Sequence, residues 1–218
     1  RGDIVQKSIF SKAFLWMFVG LFVTFATGIY VSTNENMIYN IFSTSAYWLI
    51  FIAEILVVIF LSARIHKMSF TTAIISFLAY SVLSGLTFSS IFLVFNISSI
   101  MFIFAVTAVL FLIFGLLGYF TNIDLSKMGT ILFFGLLGVI LVSLVNIFLG
   151  NPTLDIIVSA IAVIIFVGFI AYDIQRIKAF QQMMDDENKV AIIGALELYL
   201  DFINLFLHLL SLFGDRRN

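Results

Sequence analysis

Long apolar runs, separated by short polar stretches, dominate this chain. From Met68 to Ile123 there are 56 consecutive residues without a charged side chain. That length is too great for one membrane-spanning helix and suits two of ~20 residues joined by a turn. The polar residues Asn96, Ser98 and Ser99 supply such a turn. Continuous apolar runs also favour helices over a membrane barrel, whose strands alternate apolar and polar residues.

The same pattern predicts seven membrane-spanning helices of ~20 residues each. The predicted segments are Ala13–Val31, Ser43–Ala63, Phe70–Phe88, Ile100–Phe120, Gly129–Leu149, Thr153–Ile174 and Gly194–Phe213. Their connections are short, so consecutive helices are expected to be antiparallel. We therefore predict an all-α, polytopic membrane protein in which residues 1–218 form a single seven-helix transmembrane domain.

Small residues recur along two of these segments. Gly20, Thr24 and Gly28 share one face of the first, and Ser81 and Gly85 do so in the third. Such ridges let helix backbones approach closely in membranes, so we expect both to be packing surfaces.

Composition narrows the class of protein. Of 218 residues, 62% are hydrophobic and 11% are charged, whereas a soluble domain needs far more charge to cover its surface. The chain contains no cysteine, which excludes disulfides, thiolate metal ligands and cysteine nucleophiles. A net charge of −1 without a dense basic run gives no support to nucleic-acid binding. The expected environment is the lipid bilayer.

Lysine and arginine predict the orientation in the membrane. Nine lie on one side of the predicted spans: Arg1, Lys7, Lys12, Arg64, Lys67, Lys127, Arg176, Lys178 and Lys189. The three opposite loops contain none, and Arg216 and Arg217 follow the last segment. Because cytoplasmic loops are enriched in positive charge, we expect a cytoplasmic N-terminus and a seventh segment that spans the membrane.

One face of the last segment is polar. Glu197, Asp201, Asn204 and His208 recur at spacings of four, three and four, which places them within roughly 60° of one another on a helix. Ionisable groups inside a membrane are rare and usually functional. We predict that this stripe lines a water-accessible path. For Glu197 a solvated position stays an alternative, and for His208 a satisfied hydrogen bond is favoured over a metal-ligand role.

Two aspartates stand near the same end of neighbouring predicted helices. Asp173 lies near the cytoplasmic end of the sixth segment, and Asp201 lies seven residues into the seventh, ~10 Å deep. If their carboxyl groups meet, they are expected to share one proton and titrate as a pair. Their oxygens would also bind a hard cation such as Ca²⁺ transiently. The alternative is that each is paired separately and serves only helix register.

Glu54 lies in the middle of the second segment, with no other charge within nine residues on either side. It must face the interior of the protein or a watery cavity. We predict a pore-lining role. The alternative is a protonated glutamate that is hydrogen-bonded to a neighbouring helix.

Two runs of sequence resemble a known family. Ala171–Lys178 reads AYDIQRIK, and about twenty residues later Leu198–Phe206 reads LYLDFINLF. Both are similar to the C-terminal signature of the Bax inhibitor-1, or transmembrane Bax inhibitor motif, family, and the similarity is strongest over Val158–Phe213. The long N-terminal extension of some eukaryotic relatives is absent, so we expect a compact bacterial member.

This resemblance implies a seven-helix fold with the C-terminal helix central. It also implies that Asp173 and Asp201 form an aspartyl dyad, which senses pH in a calcium leak across the membrane. In bacterial members an arginine at the end of the second helix latches onto the dyad. Arg64 is the matching residue, although its separation from Glu54 differs by one residue from the family pattern.

The expected function is therefore a pH-sensitive, calcium-permeable leak channel rather than an enzyme. We expect no tightly bound cofactor, with calcium ions and protons as the transported or sensed species, and a monomer in a bacterial plasma membrane. The alternatives are a proton-coupled cation exchanger, a non-conducting scaffold or cell-death regulator, and an intramembrane aspartyl protease. The protease is disfavoured because Leu-Tyr-Leu precedes Asp201 where that class has Gly-x-Gly, and Pro-Ala-Leu is absent.

Overall fold

A computed structural model describes residues 2–183 and 186–217, so Arg1 of the orientation count lies outside it. The described residues form eight α-helices and a short 3₁₀ turn, with no strand among them. The elements are α1 (Gly2–Ser32), α2 (Glu35–Phe42), α3 (Ala46–Arg64), the 3₁₀ turn (Ile65–Lys67), α4 (Phe70–Val94), α5 (Ile97–Phe120), α6 (Ser126–Leu149), α7 (Pro152–Met183) and α8 (Glu187–Phe213).

Seven of these helices are long and apolar enough to cross a membrane, and they match the seven predicted segments in order. The prediction of an all-α polytopic membrane protein is confirmed. Six of the seven helices are longer than the predicted segments, whereas α3 is two residues shorter than its predicted segment. The largest differences are at the start of α1, which begins at Gly2 and not at Ala13, and at the end of α7, which ends at Met183 and not at Ile174. Helix α8 begins at Glu187 and not at Gly194.

The short helix α2 was not predicted. Asn34 caps its N-terminus by accepting a hydrogen bond from the Met37 amide at 3.1 Å. At eight residues it is too short to span a bilayer, and none of its residues is buried. It leads into an aromatic group in which Tyr47 lies 5.3 Å from Phe42 and 5.9 Å from Trp48, measured between ring centroids. Trp48 is exposed, and the other two are half-buried. Such aromatic groups are typical of the membrane–water interface.

The turn between α6 and α7 is fixed by local chemistry. Gly150 ends α6 in a left-handed conformation with φ 59°, which glycine adopts without steric cost. Asn146 accepts a hydrogen bond from the Asn151 amide at 3.1 Å and donates to the Asn151 carbonyl at 3.0 Å. Pro152 then occupies the first position of α7, where the missing N–H carries no penalty. This short turn makes the two helices antiparallel neighbours.

The helices group into two compact units. Within the described chain, unit 1 comprises residues 2–96, 186–199 and 216–217, and unit 2 comprises residues 97–183 and 200–215. Helix α8 contributes its first part to unit 1 and its second part to unit 2. It is the most enclosed span of the described chain: 78% of its apolar 18-residue window is buried, against 6% for the span that starts at Ala46. The prediction of a single domain stays a prediction.

In unit 1 the two predicted ridges meet. A methyl group added to Gly85 of α4 would approach the Thr24 carbonyl of α1 to 2.8 Å, and one added to Gly28 would approach the Gly85 carbonyl to 3.3 Å. Helices α1 and α4 therefore touch along their backbones, as the small residues predicted.

The two C-terminal arginines have structural partners at the end of α4. The Arg217 amide donates to the Val94 carbonyl at 2.8 Å, and its guanidinium donates to the Phe92 carbonyl at 3.1 Å. Carbonyls in the last turn of a helix lack intrahelical partners and carry partial negative charge, which a cation stabilises. Arg216 forms an isolated bridge with Phe95. Within unit 1, these bonds hold Arg216 and Arg217 against the end of α4.

Candidate functional site

The centre of the candidate site is a contact between two acidic side chains of unit 2. Asp173 on α7 is hydrogen-bonded to Asp201 on α8. Each residue is only 5% exposed. Because an ionised carboxylate can accept hydrogen bonds but cannot donate one, a bond between two carboxyl groups requires a proton on one of them.

Apolar side chains surround this pair. On α7 the residues Ile170, Ile174 and Ile177 are at most 1% exposed. On α8, Phe202 follows Asp201 directly and packs on Phe104 of α5 with ring centroids 5.1 Å apart. These walls exclude water from the carboxyl groups, so a second negative charge at this place would be costly.

Arg176 is the charged residue that sequence analysis overlooked at this site. It was counted only for orientation, yet it interacts electrostatically with Asp173. The signal was present in the sequence, because residues three apart on a helix are neighbours on its surface. A guanidinium here favours the ionised form of the pair and opposes the effect of burial.

Asp201 lies well inside α8. It is the fourteenth residue after Glu187, the first of α8, and so stands ~21 Å from the helix start at 1.5 Å per residue. The predicted membrane depth of ~10 Å is counted from Gly194, where the apolar run begins, and stays a prediction.

The rest of the polar stripe lies on the less enclosed side of α8. Glu197, Asn204 and His208 are half-buried, whereas Tyr199 and Leu205 between them are fully buried. The Asn204 amide donates to the Leu200 carbonyl of its own helix at 2.7 Å.

His208 makes contacts within unit 2. Its Nδ1 atom is 3.3 Å from the Ser159 hydroxyl of α7, and its ring stacks on Phe166 with centroids 6.0 Å apart. These contacts are those of a hydrogen-bonded histidine. Among the residues that the structure describes, no three His, Cys, Asp or Glu side chains gather as metal ligands.

Glu54 is held by hydroxyl groups within unit 1. One carboxyl oxygen accepts from Ser84 at 2.6 Å, and the other lies 2.7 Å from the Thr87 hydroxyl. The Thr87 hydroxyl also donates to the Ser84 carbonyl at 2.8 Å. Thr87 is the donor in both contacts, so its one hydroxyl hydrogen is shared between the Glu54 carboxyl group and the Ser84 carbonyl. This arrangement matches the alternative reading of Glu54, a glutamate bonded to a neighbouring helix.

A buried hydroxyl cluster beside Glu54 escaped sequence analysis. Tyr199 of α8 is completely buried, and its hydroxyl lies 2.6 Å from that of Thr24 on α1. Thr24 donates to the Ser81 carbonyl at 3.0 Å, so Tyr199 must be the donor to Thr24. Tyr80 of α4 packs its ring on that of Tyr199. Serine, threonine and tyrosine are common in membrane helices, and their spacing alone does not reveal such a cluster.

Arg64, the predicted latch, is the last residue of α3 and belongs to unit 1. Its side chain is exposed. The latch role stays a prediction.

Comparison with known proteins places the chain in a family. Residues 6–218 match the family model described as "Inhibitor of apoptosis-promoting Bax1". The chain is 42% identical over 217 residues to the inner membrane protein YbhL of Escherichia coli, covering 97% of this chain and 93% of YbhL. It is 40% identical over 223 residues to a protein of Borreliella burgdorferi, covering 99% and 95%, and 33% identical over 210 residues to RP147 of Rickettsia prowazekii, covering 95% and 89%.

Proposed function

This chain belongs to the Bax inhibitor-1 family of membrane proteins, and we propose that it is a pH-sensitive, calcium-permeable leak channel. It is an integral, multi-pass membrane protein in contact with the lipid bilayer. The observation that carries the proposal is the hydrogen bond between Asp173 and Asp201 inside an apolar part of unit 2.

The proposed sensor works through the shared proton. While the pair holds it, the two carboxyl groups attract each other and keep α7 and α8 together at this level. When the proton leaves, two like charges face each other in a poorly solvated place and repel. Separation of the carboxylates, or binding of a cation between them, relieves that repulsion. Arg176 interacts with Asp173 and would partly offset the negative charge of the pair once the proton has left.

Calcium suits the proposed pair because Ca²⁺ is bound by oxygen ligands in flexible geometries. Asp173 and Asp201 would bind it transiently, and no tightly held cofactor is proposed. The half-buried stripe of Glu197, Asn204 and His208 supports a water-accessible path along α8. The pore-lining role of Glu54 and the latch role of Arg64 stay predictions.

We place the protein in a bacterial cytoplasmic membrane as a monomer with its N-terminus in the cytoplasm. Two observations support this placement. The lysines and arginines lie predominantly on one side of the predicted spans, and cytoplasmic loops are the positive ones. A relative that aligns with 97% of the chain is named as an inner membrane protein.

Calcium flux in proteoliposomes, measured from about pH 6 to about pH 8, tests the proposal. Wild-type protein should pass calcium at a rate that varies with pH, and Asp173→Asn or Asp201→Asn should conduct without that variation. Asp155→Asn is the matched control, because Asp155 also lies on α7 but bonds to Asn146. An unchanged pH response in both dyad variants would contradict the sensor.

The same preparation separates the other functions. Accumulation of calcium against its gradient, driven by a pH difference, would indicate a proton-coupled exchanger. Protein that passes no ion at any pH or voltage would favour a non-conducting scaffold. Cleavage of a single-span peptide that is lost in Asp173→Ala would indicate an aspartyl protease, in which two carboxyl groups activate water.

A further inference from the structure

The part of α7 that carries Asp173 contacts the connection between α5 and α6. These contacts do not involve Asp173 or Asp201 themselves. This connection comprises residues 121–125. All of the contacts lie within unit 2. They involve Gln175 and Lys178, which belong to the run AYDIQRIK and have no role in the proposed sensor.

Gln175 forms two hydrogen bonds with the backbone of the connection. Its carboxamide oxygen accepts from the Leu125 amide at 2.8 Å, and its carboxamide nitrogen donates to the Ile123 carbonyl at 2.8 Å. Leu125 is the N-cap residue of α6, is buried, and makes no side-chain cap bond. The glutamine therefore pairs backbone groups that no regular element of the connection satisfies.

Lys178 caps the C-terminal end of α5. Its ammonium group donates to the Tyr119 carbonyl at 2.8 Å and lies 4.5 Å from the centroid of the Tyr119 ring. A cation at a helix C-terminus is favoured by the exposed carbonyls, and the ring adds a cation–π attraction. One turn of α7 thus holds both ends of the connection, through Gln175 and Lys178.

Two glycines bring the neighbouring helices onto α7 immediately before Asp173. A methyl group on Gly118 of α5 would lie 2.7 Å from Ala171 Cα, and one on Gly129 of α6 would lie 2.7 Å from the Tyr172 hydroxyl oxygen. At Gly118 the neighbouring atoms are backbone atoms and cannot move aside, whereas at Gly129 they are the far end of the Tyr172 side chain. The position of α7 next to residue 173 is therefore constrained by close backbone packing against α5.

The connection has its own local order. The Ser126 amide donates to the Asp124 carboxylate at 2.9 Å, and the hydrogen bonds from Ser126 lower the pKa of Asp124. An Asp that bonds to the amide two residues on is a common turn device. The connection is thus a defined turn that offers its Leu125 amide and Ile123 carbonyl to Gln175.

We propose that Gln175 is a positioning residue for the dyad. By docking the α5–α6 connection on α7 it fixes the depth and rotation at which Asp173 meets Asp201. The charged groups that interact with Asp173 are Asp201 on α8 and Arg176 on α7 itself, while Lys178 is directed to α5. The expected effect of Gln175 on calcium flux rests on the proposed function. Its expected effect on the structure of the α5–α6 connection does not.

The test is Gln175→Leu, which keeps the approximate size of the side chain and removes both hydrogen bonds. Hydrogen exchange of residues 121–128 in purified protein should become about tenfold faster at the Leu125 amide, because one protecting hydrogen bond is lost. The pH midpoint of calcium flux should shift by about half a unit or more, because Asp173 no longer meets Asp201 in the same geometry. Ser143→Ala is the control, since it removes a bond within α6 alone.

Each result has a distinct meaning. Unchanged exchange would overturn the docking, and faster exchange with an unchanged pH midpoint would reduce Gln175 to a structural role. If wild-type protein passes no calcium, the proposed function fails while exchange still tests the docking. If Gln175→Leu does not fold, Gln175→Ala replaces it, because the shorter side chain also removes both hydrogen bonds and adds no charge. Wild-type exchange and pH midpoint in that variant would overturn the proposal.

Discussion

At the scale of single residues, the protein keeps acidic groups within its spans by two different means. Asp173 and Asp201 are paired with each other, whereas Glu54 is paired with hydroxyl groups of α4. Carboxyl groups that share a proton repel once it is lost, so such a pair responds to pH. Glu54 is bonded to hydroxyl groups and not to a second carboxyl group, so no such repulsion arises there.

The hydrogen-bond pattern around Glu54 predicts how substitutions there affect stability. Glu54→Gln should change the free energy of unfolding by less than about 1 kcal/mol, because the amide keeps an oxygen that accepts from Ser84 and still places a polar group beside Thr87. Glu54→Leu should cost about 1–3 kcal/mol, because Ser84 then loses its acceptor. Thermal unfolding of the detergent-purified variants measures both effects. A glutamine variant as unstable as the leucine variant would contradict this expectation.

The sequence predicted which polar residues belong to the site better than it predicted which residues they contact. The spacing of Glu197, Asp201 and Asn204 places them on one face whatever the tertiary structure is. The contact of Asp201 with Asp173 depends on the depth of two helices. It was expected as one possibility from neighbouring antiparallel segments and from the family resemblance. The hydroxyls around Glu54 lie on another helix, 30 and 33 residues away, and no spacing rule links such positions.

At the scale of helices, apolar length predicted the existence of every span but not its ends. Helix α8 continues through Lys189 to Glu187, because lysine and glutamate are good helix formers and long side chains reach the interface. The short helix α2 was read as a loop, since it combines polar and apolar residues over only eight positions. Packing between helices was predictable where small residues recur, as at Gly28 and Gly85.

The contact between α1 and α4 predicts opposite results for two glycine substitutions. Gly85→Ala should destabilise the protein by about 1–3 kcal/mol, because the added methyl group would meet the Thr24 carbonyl and the Thr27 side chain. Gly138→Ala is the matched control on α6. It has no neighbouring atom within 4 Å of the new methyl group and should be neutral or slightly stabilising. Thermal unfolding of both variants measures the two changes in stability. An equal loss of stability in both variants would contradict close packing of α1 on α4.

At the scale of the whole molecule, the class of protein followed from the sequence because hydrophobicity and span length are bulk properties. The grouping of helices into two units did not follow. All seven spans are apolar around most of their circumference, so the sequence carries little information about which faces meet. Helix α8 is an exception, because its burial of 78% accompanies the polar stripe that singled it out.

The final prediction concerns the sides of the membrane, and the absence of cysteine makes it testable. Single cysteines at Lys67 and Lys127 should react with a membrane-impermeant maleimide only after the cells are permeabilised, because positive loops are cytoplasmic. Cysteines at Tyr39 and Asp215 should react in intact cells. Tyr39 follows the first span, and the chain just beyond Asp215 is bound to the end of the third. All four positions are exposed in the structure. Labelling of Asp215→Cys only after permeabilisation would mean that α8 does not cross the membrane.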